Sequence, residues 1–393
     1  MDGLGLLVLL IATLAAGLFL GWRARERFRR GFQPFASSYF QGLNYLLNEQ
    51  VDASVDAFID SLEVSPETLD THLALGNLLR RKGEVAKAIK IHQNLLSRPS
   101  LGLEHMHQAQ LELARDFIKA GLLDRAEGLL HELTESSAEY RADALEHLIE
   151  IYQDEREWDK AVKAAEQLLG RRQNKNYQWL SVAAGHFCCE MAQAYRDNND
   201  ILNARRLLKQ ALQYDRSSVR ALMDWAALEL QQQEYREARR LLQRVPSQDP
   251  DTIPELLPLL RELYWHQGDQ IGLFRYLSEL QEQHPSASLV IELADGLQQR
   301  EGEMAAQAYI TEQLRRRPSL KVLARLVESH LQFSEGRARE NLLLLKSLLD
   351  QVLAAKPGYC CSQCGFTGNQ LHWLCPSCKS WGTIKAIRGV EGE

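Results

Sequence analysis

Residues that break helices or build strands are scarce through most of this chain. Its 393 residues include 11 prolines and 24 glycines, and both types are sparse between residues 35 and 356. That stretch also lacks the alternation of apolar and polar residues that marks half-buried strands. The sequence therefore predicts helices throughout residues 35–356.

The motifs of common enzyme sites are also missing. There is no glycine-rich phosphate loop, no nucleophile elbow and no His-Glu-x-x-His motif, since His131-Glu132 is not followed by a second histidine. A net charge of -6 excludes the basic footprint of a typical nucleic-acid binder. We therefore expect a chain without catalytic activity of its own and without a nucleic-acid partner.

Charge is absent from residues 3–22, which are rich in Leu, Ala and Gly. Twenty such residues are enough for a helix to cross the hydrocarbon core of a membrane. An arginine cluster follows at once, whereas a signal peptide would carry its positive charge before the apolar run. The sequence predicts a transmembrane helix over residues 1–22 and an Arg-rich juxtamembrane linker over residues 23–34.

The arginine cluster also predicts the orientation of that helix. By the positive-inside rule the arginines stay in the cytoplasm, so the N-terminus faces outward and the bulk of the chain is cytoplasmic. Within the helix Thr13, Gly17 and Gly21 recur every four residues and form a flat face that suits packing against another membrane helix. The general abundance of glycine in membrane helices explains the same pattern equally well.

Five of the seven cysteines fall within residues 360–378. They include two Cys-x-x-Cys pairs separated by ten residues, and each pair places two thiolates on one tight turn. Four sulfurs that converge in this way bind one zinc or one iron ion. Cys360 competes with Cys361, but only Cys361 leaves two residues before Cys364. The predicted metal ligands are Cys361, Cys364, Cys375 and Cys378.

Small residues recur at regular intervals through the helical segment. In the first unit Gly42 is followed by Ser54, Phe58 and Pro66 at the spacing of a tetratricopeptide repeat. The small residues of the later second helices are separated by 38, 35, 43 and 34 residues. These residues are Ala88, Ala126, Ala161, Ala204 and Ala238. Turns at Gly268 and Gly302 and helix-closing prolines at Pro285 and Pro318 continue the series, which predicts eight or nine repeats over residues 35–356.

A solenoid of such repeats has a groove lined by the first helix of each hairpin, and grooves of this kind bind peptides or protein surfaces. Counting from the small residue of each first helix selects the polar residues that should face the groove. The candidates for partner binding are Asn77, Arg80, Arg115, Gln193 and Arg196. A plain solvated surface is the alternative role for each of them.

The segment 357–393 is predicted to form a small metal ribbon. Its aromatic residues Phe366, Trp373 and Trp381 either form the core around the metal or dock the ribbon against the last helices. We expect the ribbon to fold back onto the helices, because so short a segment has little core of its own. Its basic residues leave nucleic-acid contact open as an alternative. These are Lys356, Lys379, Lys385 and Arg388.

Taken together, these features resemble the lipopolysaccharide assembly protein B family of Gram-negative bacteria. The most specific part of the resemblance is the tail Tyr359-x-Cys-x-x-Cys-Gly-Phe, followed by Trp373-x-Cys-Pro-x-Cys-x-x-Trp381. Members of the family carry a rubredoxin-type metal knuckle pair, which implies the four predicted cysteines as ligands of one iron ion or zinc. Lys379 stands where typical rubredoxins have glycine.

The resemblance implies an all-α tetratricopeptide solenoid with an N-terminal transmembrane helix and a C-terminal rubredoxin-like ribbon. It implies an adaptor at the cell inner membrane that regulates lipopolysaccharide biosynthesis. The implied partners are an FtsH-type membrane protease, the lipid A-committing deacetylase that this protease degrades, and other lipopolysaccharide-assembly proteins. Two alternatives remain: a rubredoxin-like electron carrier that docks a redox partner through its repeats, and a scaffold with no part in proteolysis.

Overall fold

The computed structural model describes residues 44–45, 66–98, 101–170 and 177–393. Several predictions concern residues outside these ranges. They are the transmembrane helix 1–22 with Thr13, Gly17 and Gly21, the linker 23–34, and the first repeat from Gly42 to Phe58. Within the described ranges, no helix combines the length and apolarity that a membrane span requires.

The chain divides into two compact units at Ile151 and Tyr152. The described part of the first unit consists of helices throughout, as the sequence predicts. Its helices are α1 (Pro66–Lys82), α2 (Val85–Leu96), α3 (Leu103–Ala120), α4 (Leu123–Ser136) and the greater part of α5 (Arg141–Glu155). Pro66 is the first described residue of α1, and the helix that it was predicted to close lies outside the described residues.

The second unit contains the remaining helices and, at its end, a small sheet. Its helices begin with α6 (Trp158–Leu169), α7 (Gln178–Asp197), α8 (Ile201–Tyr214), α9 (Val219–Gln231), α10 (Tyr235–Leu242) and the short α11 (Val245–Gln248). They continue with α12 (Ile253–Gln267), α13 (Gln270–Gln283), α14 (Ala287–Glu301), α15 (Glu303–Arg316), α16 (Leu320–Leu331) and α17 (Gly336–Ala355). Pro285 and Pro318 lie in the connections before α14 and α16, as predicted.

The small residues predicted from the repeat spacing lie where helices touch. Ala88, Ala126, Ala161, Ala204 and Ala238 are all fully buried. Gly76 shows why size matters here, because a Cβ atom at this position would lie 2.3 Å from Nε2 of His92. A side chain at position 76 would therefore force α1 and α2 apart.

Six of the described turns within hairpins share one backbone conformation. The first helix ends in a left-handed residue, and the following amide donates to a carbonyl five residues earlier, as Glu234 N does to Glu229 O at 2.9 Å. Glycine fills the left-handed position at Gly83, Gly121 and Gly268. Residues with side chains fill it at Arg156, Asn199 and Gln233, with φ of 59, 60 and 62°. Glycine in the sequence therefore identifies only some of these turns.

The core of the helical region is distributed between neighbouring hairpins. One cluster near the end of the array joins α14, α15 and α16 through Ala287, Val290, Ala294, Ile310 and Val322. Each hairpin thus contributes one face to the preceding unit and another to the next, which is the packing expected of a repeat solenoid.

Candidate metal centre

The last residues form a three-stranded antiparallel sheet in the order β2-β1-β3. The strands are β1 (Tyr359–Cys361), β2 (Thr367–Gly368) and β3 (Ile384–Ala386). Cys361 pairs with Ile384, and Tyr359 pairs with both Gly368 and Ala386. The central strand therefore ends at the first predicted ligand, and the sheet aligns the two cysteine turns beside each other.

The two cysteine turns have nearly the same hydrogen bonds. In the first, Gly365 N donates to Cys361 O at 3.0 Å, and Cys361 N donates to Phe366 O at 2.7 Å. In the second, Lys379 N donates to Cys375 O at 2.9 Å, and Cys375 N donates to Ser380 O at 3.0 Å. Each turn needs a left-handed residue after its second cysteine. Gly365 supplies it with φ of 76° and Lys379 with φ of 55°.

The four predicted ligands converge. All four sulfur atoms lie within 4.8 Å of one another. Cys361 Sγ and Cys378 Sγ are 3.8 Å apart, and Cys364 Sγ and Cys375 Sγ are 3.7 Å apart. A tetrahedral metal with bonds of about 2.3 Å to sulfur requires sulfurs about 3.8 Å apart. None of these cysteines forms a disulfide, so the arrangement fits a four-cysteine metal site.

Cys360 takes no part in this cluster. It precedes Cys361 on β1, where successive side chains point to opposite faces of the sheet. Its Sγ lies 3.7 Å from the carbonyl oxygen of Cys361 and outside the group of four sulfurs. The strand geometry thus explains why the spacing argument selected Cys361.

The surroundings of the sulfurs favour thiolates on two of the ligands. Thr383 Oγ1 lies 3.3 Å from Cys361 Sγ, and this hydrogen bond lowers the pKa of Cys361 to about 6. Hydrogen bonding from Ser380 lowers the pKa of Cys378. Burial raises the pKa of Cys375 to about 11. A bound cation supplies the charge that Cys375 needs to ionise, because metal ligation requires deprotonated thiols.

The ligands differ in their access to solvent. Cys361 and Cys375 are buried, Cys378 is half-buried and Cys364 is exposed. Ile384 is buried beside the first two, and Phe366 packs against them. The ribbon therefore has a very small core of its own, with the metal site near one surface.

Trp381 attaches the ribbon to the helices of the second unit. Its ring stacks on His186 of α7 with centroids 4.7 Å apart and an angle of 17° between the planes. Its edges meet Trp158 of α6 and Phe187 of α7. The indole Nε1 donates to Gln153 Oε1 at 2.7 Å, and only 9% of Trp381 is exposed. The predicted fold-back of the ribbon is confirmed.

The place of docking differs from the prediction. The last helices were the expected surface for Trp373 and Trp381, whereas the structure puts Trp381 against α6 and α7. Phe366 belongs to the ribbon core, so the two predicted roles of the aromatic residues are divided among them. The sequence contains no signal that pairs Trp381 with His186, because the contact joins residues almost 200 positions apart.

Arg220 of α9 also contacts the tryptophans of the ribbon. Its guanidinium lies 5.9 Å from the ring centroids of both Trp373 and Trp381. Arg220 is buried and pairs with Glu190 at 2.8 Å. Burial and the neighbouring Arg220 lower the pKa of His186 to about 3. The imidazole under Trp381 is therefore neutral at physiological pH, which suits a stacked, desolvated ring.

The basic residues of the ribbon bind carboxylates of the same unit. Lys379 Nζ lies 2.5 and 2.6 Å from the two carboxylate oxygens of Asp154. Lys385 pairs with Asp249, and Arg388 Nε donates to Asp251 Oδ1 at 2.6 Å. The sequence did not predict a role for these carboxylates. Two of them lie in the Asp-Pro-Asp run at 249–251, whose negative charge complements the basic residues of the ribbon. The charges that suggested nucleic acid are used for docking.

The final residues reach the last helices. The Glu393 carboxylate accepts hydrogen bonds from Ser286 Oγ at 2.9 Å and Ser288 Oγ at 2.7 Å, and it pairs with Lys321 Nζ at 2.7 Å. Leu320 N donates to Val390 O at 2.8 Å. Burial, the largest single influence, opposes ionisation of Glu393, but the hydrogen bonds and charge of Lys321 and the hydrogen bonds from Ser288 together outweigh it, so the pKa of Glu393 is lowered. The ribbon segment thus joins α14 and α16 as well as α6 and α7.

The two predicted groove arginines of the first unit are engaged within the chain. Arg80 pairs with Glu112 at 2.7 Å and with the buried Asp116 at 2.8 Å. Asp116 also lies 2.5 Å from His92 Nδ1. Arg115 binds Glu112 at 2.7 Å. Arg80 therefore links α1 to α3 and Arg115 pairs within α3, so any partner must compete with existing ion pairs.

The other groove candidates are less committed. Gln193 is exposed and Arg196 is partly exposed on α7, both beside Asp224 of α9. Asn77 is partly exposed on α1, and its Oδ1 is buried without a hydrogen bond among the described residues. Within the second unit the structure therefore places Gln193 and Arg196 together on α7.

Similar proteins share both parts of the chain. A family model described as a tetratricopeptide repeat matches residues 195–263, and one described as a rubredoxin metal binding domain matches residues 359–386. A solved structure of a tetratricopeptide repeat protein from Parabacteroides merdae covers 72% of this chain and 99% of its own, with 16% identity and a TM-score of 0.33.

Two curated relatives extend over the full length. Lipopolysaccharide assembly protein B of Haemophilus influenzae is 32% identical over 399 residues, covering 98% of this chain and 99% of the relative. The protein of the same name from Escherichia coli K12 is 38% identical over 392 residues, covering 99% of this chain and 100% of the relative. Identity at this level across repeats and ribbon alike shows that the chain belongs to the lipopolysaccharide assembly protein B family.

Proposed function

We propose that this chain is an adaptor of lipopolysaccharide assembly that recruits proteins and catalyses no reaction itself. The observation that carries the proposal is the full-length identity of 38% to a relative named for lipopolysaccharide assembly. The architecture supports it, because tetratricopeptide arrays present extended surfaces for protein partners. The bound metal, one iron ion or zinc held by the four cysteines, would act as a structural cross-link of the ribbon.

The docked ribbon is suited to hold the helices of the second unit in one arrangement. It contacts residues from Gln153 to Lys321, so a single small domain bridges helices far apart in the sequence. A stack of hairpins in which each contacts only its neighbours bends easily. A domain that bridges several hairpins resists such bending. A fixed array presents its partners at a constant distance and orientation.

We further propose that the adaptor works at the cell inner membrane, with the bulk of the chain in the cytoplasm. The uncharged residues 3–22 and the arginines after them support this placement. There it would bring the lipid A-committing deacetylase to an FtsH-type membrane protease and so limit lipopolysaccharide synthesis. Anchoring in the same membrane raises the effective concentration of the two partners, so weak contacts suffice. Other lipopolysaccharide-assembly proteins would share the surface.

A cleft in the second unit is a candidate contact for such a client. It has a volume of about 390 Å³ and lies among α12, α13 and α14. Trp265 on its rim is 74% exposed, and Arg300 lies 4.7 Å above the ring of Phe274. An exposed tryptophan beside an arginine-capped aromatic ring is typical of the residues that dominate protein interfaces.

The proposal is tested by the half-life of the deacetylase in cells depleted of this protein. We expect the half-life to lengthen on depletion and to recover with the full-length chain. Recovery should fail with a chain that lacks residues 1–22, because the membrane anchor is lost. Trp265→Ala should recover poorly, while Met304→Ala, an equally exposed change outside the cleft, should recover fully. A half-life that is unchanged on depletion would refute the proteolytic role and favour a scaffold.

One observation favours a second candidate, a rubredoxin-like electron carrier. Cys364 is exposed, and an exposed ligand brings an iron centre close to a redox partner at the surface. This function predicts reversible reduction of the iron-loaded chain by a partner that binds the array. A chain that retains its full function in cells with zinc in its metal site would exclude it, because zinc has no redox chemistry.

A further inference from the structure

A cavity of about 350 Å³ lies where residues 388–393, here called the end segment, cross the last hairpins. Its walls come from the ends of α13 and α15, the starts of α14 and α16, and the end segment itself. The volume falls within the range of about 300 to 1,000 Å³ that is usual for binding sites. The cavity shares no lining residue with the cleft among α12, α13 and α14, so it is a separate site.

The end segment shows what kind of ligand this surface can hold. It contains the acidic stretch Val390-Glu-Gly-Glu393, in which one apolar residue accompanies two carboxylates. The carboxylate of Glu393 lies at the start of α14, where Ser288 donates to it from N at 3.0 Å and from Oγ at 2.7 Å. Leu320 N at the start of α16 donates to Val390 O at 2.8 Å. The surface beside the cavity therefore already binds an acidic segment, which the chain itself supplies.

Part of the cavity lining is apolar. Val290 of α14 and Val322 of α16 are buried residues of the cluster that joins these helices, and they also line the cavity. Val390 of the end segment is 52% exposed beside them. Pro285 and Pro318, which precede the two helices, add further apolar surface. An apolar side chain of a ligand would lose contact with water against these residues.

Two arginines at the end of α15 give the cavity its available charge. Arg316 is the last residue of the helix, and Arg317 follows it in an extended conformation, as expected for a residue before Pro318. No ion pair engages Arg317 within the described part of the chain. Arg316 pairs with Glu312 at 3.0 Å, but the two side chains are 68 and 50% exposed, and such pairs contribute little. Both guanidinium groups can therefore bind a carboxylate, which matches their planar set of donors.

The other charged residues of the cavity are already paired. Arg388 binds Asp251, and Glu393 binds Lys321 at 2.7 Å. The charge that remains for a ligand is therefore positive. Complementary charge favours an acidic ligand at such a site and disfavours a basic one.

We propose that this cavity binds an acidic segment of a partner protein. A carboxylate of that segment is held by Arg317, with Arg316 beside it, and a neighbouring apolar side chain packs against Val290 and Val390. The proposal rests on the adaptor function and adds a second contact surface to it. Because the end segment forms part of the cavity, a partner bound there contacts the ribbon as well as the last hairpins.

Binding of a short fluorescent peptide to the purified full chain in non-ionic detergent micelles tests the charged contact. The peptide alternates leucine and glutamate, and fluorescence anisotropy should show saturable binding. Arg317→Glu should weaken it about tenfold or more, because the variant places a carboxylate where the carboxylate of the ligand would lie.

Arg315→Glu is the matched control. It makes the same change of charge two positions earlier, at an exposed residue that does not line the cavity. Its affinity should stay within about twofold of the unsubstituted chain, and both variants should retain the metal content of a folded ribbon. Equal weakening by the two variants would overturn the proposal, because the peptide would then respond only to net charge.

Changes to the ligand test its chemical class. A peptide with glutamine in place of glutamate should bind about tenfold more weakly or worse, and equal binding would contradict recognition by the arginines. Inorganic phosphate at the same concentration should not displace the peptide. Displacement would make the cavity a site for a free anion and would refute the peptide. Absence of binding up to about 1 mM peptide, a limit of weak association, would also refute it. The adaptor function would still stand, since the half-life of the deacetylase tests it independently.

Discussion

The helical array and the ribbon gain their stability in different ways. The array buries apolar side chains at every junction between hairpins, and a single cluster near its end contains five buried residues. The ribbon buries Ile384 together with two of its own metal ligands. Its remaining support comes from the metal site and from contacts with helices. So short a segment lacks a sufficient apolar core, so its fold depends on metal binding by the cysteines and on contacts with the neighbouring helices.

The difference indicates which changes will spread through the molecule. A lost contact inside the array affects neighbouring hairpins, because the repeats interact only with adjacent units. A lost ribbon affects distant helices together, since Trp381 contacts α7 and Glu393 contacts α14 and α16. Among the described elements of the second unit, the ribbon connects helices that are far apart in the sequence, namely α7 with α14 and α16.

Removal of a metal ligand should have the largest effect. Cys375→Ser leaves three sulfurs, so we expect loss of the bound metal and unfolding of the ribbon. Residues 285–331 should then become more sensitive to protease, because the contacts of Glu393 with α14 and α16 are lost. Metal content and limited proteolysis of the purified chain measure both effects.

Cys360→Ser provides the control for that experiment. Cys360 lies next to a ligand but outside the group of four sulfurs, so this variant should retain its metal and its protease resistance. If Cys375→Ser released the metal while residues 285–331 stayed fully resistant, the ribbon would not brace the last hairpins.

Loss of the docking tryptophan should come next. Trp381→Ala removes a nearly buried ring that stacks on His186, and truncations of this kind cost about 3 to 5 kcal/mol. The ribbon should release its metal at a lower urea concentration, while α1 to α4 keep their stability. Trp265→Ala removes an exposed tryptophan from the array and should leave metal release unchanged. Equal behaviour of the two variants would mean that the aromatic stack does not hold the ribbon.

A smaller effect is expected from pH. The pKa of His186 is about 3 in the folded chain, against 6.5 for the free side chain. Between these values the unfolded chain binds a proton that the folded chain does not, so the free energy of unfolding falls as the pH drops below 6.5. The loss at pH 5 amounts to about 2 kcal/mol.

Urea unfolding of the second unit at pH 7 and pH 5 measures this loss. His186→Phe keeps an aromatic ring under Trp381 but cannot bind a proton, so its stability should change less between the two pH values. A native chain whose stability rises on acidification from pH 7 to pH 5 would contradict the assigned neutral imidazole.

The smallest effects are expected from substitutions at the left-handed residue of each cysteine turn, and the two turns should respond differently. Gly365→Ala puts a side chain in a left-handed position and should destabilise the ribbon by about 1 to 2 kcal/mol. Lys379→Gly relieves the same backbone strain but loses the ion pair with Asp154, which is partly exposed. Because such pairs contribute about 0 to 1 kcal/mol, we expect a net change within about 1 kcal/mol. Metal release in urea compares the variants, and a strong loss in Lys379→Gly would show that the ion pair dominates.

Local spacing made much of the fold and the metal site predictable. The buried alanines from Ala88 to Ala238 follow a period that short-range packing imposes, and two residues between cysteines define a metal turn wherever they occur. Cys361 could be preferred to Cys360 for the same local reason. The left-handed turns at Arg156 and Gln233 escaped prediction, because residues with side chains occupy a conformation that normally indicates glycine.

The sequence by itself thus determined the helical repeats, the four metal ligands and the need of the ribbon for support, since each follows from residues close together in the chain. Only the tertiary structure decided where that support lies. The stacking of Trp381 on His186 and the pairing of Lys379 with Asp154 join positions about 200 residues apart. Whether two such distant residues meet depends on the total rotation that builds up from one hairpin to the next. A local sequence pattern does not determine that total rotation.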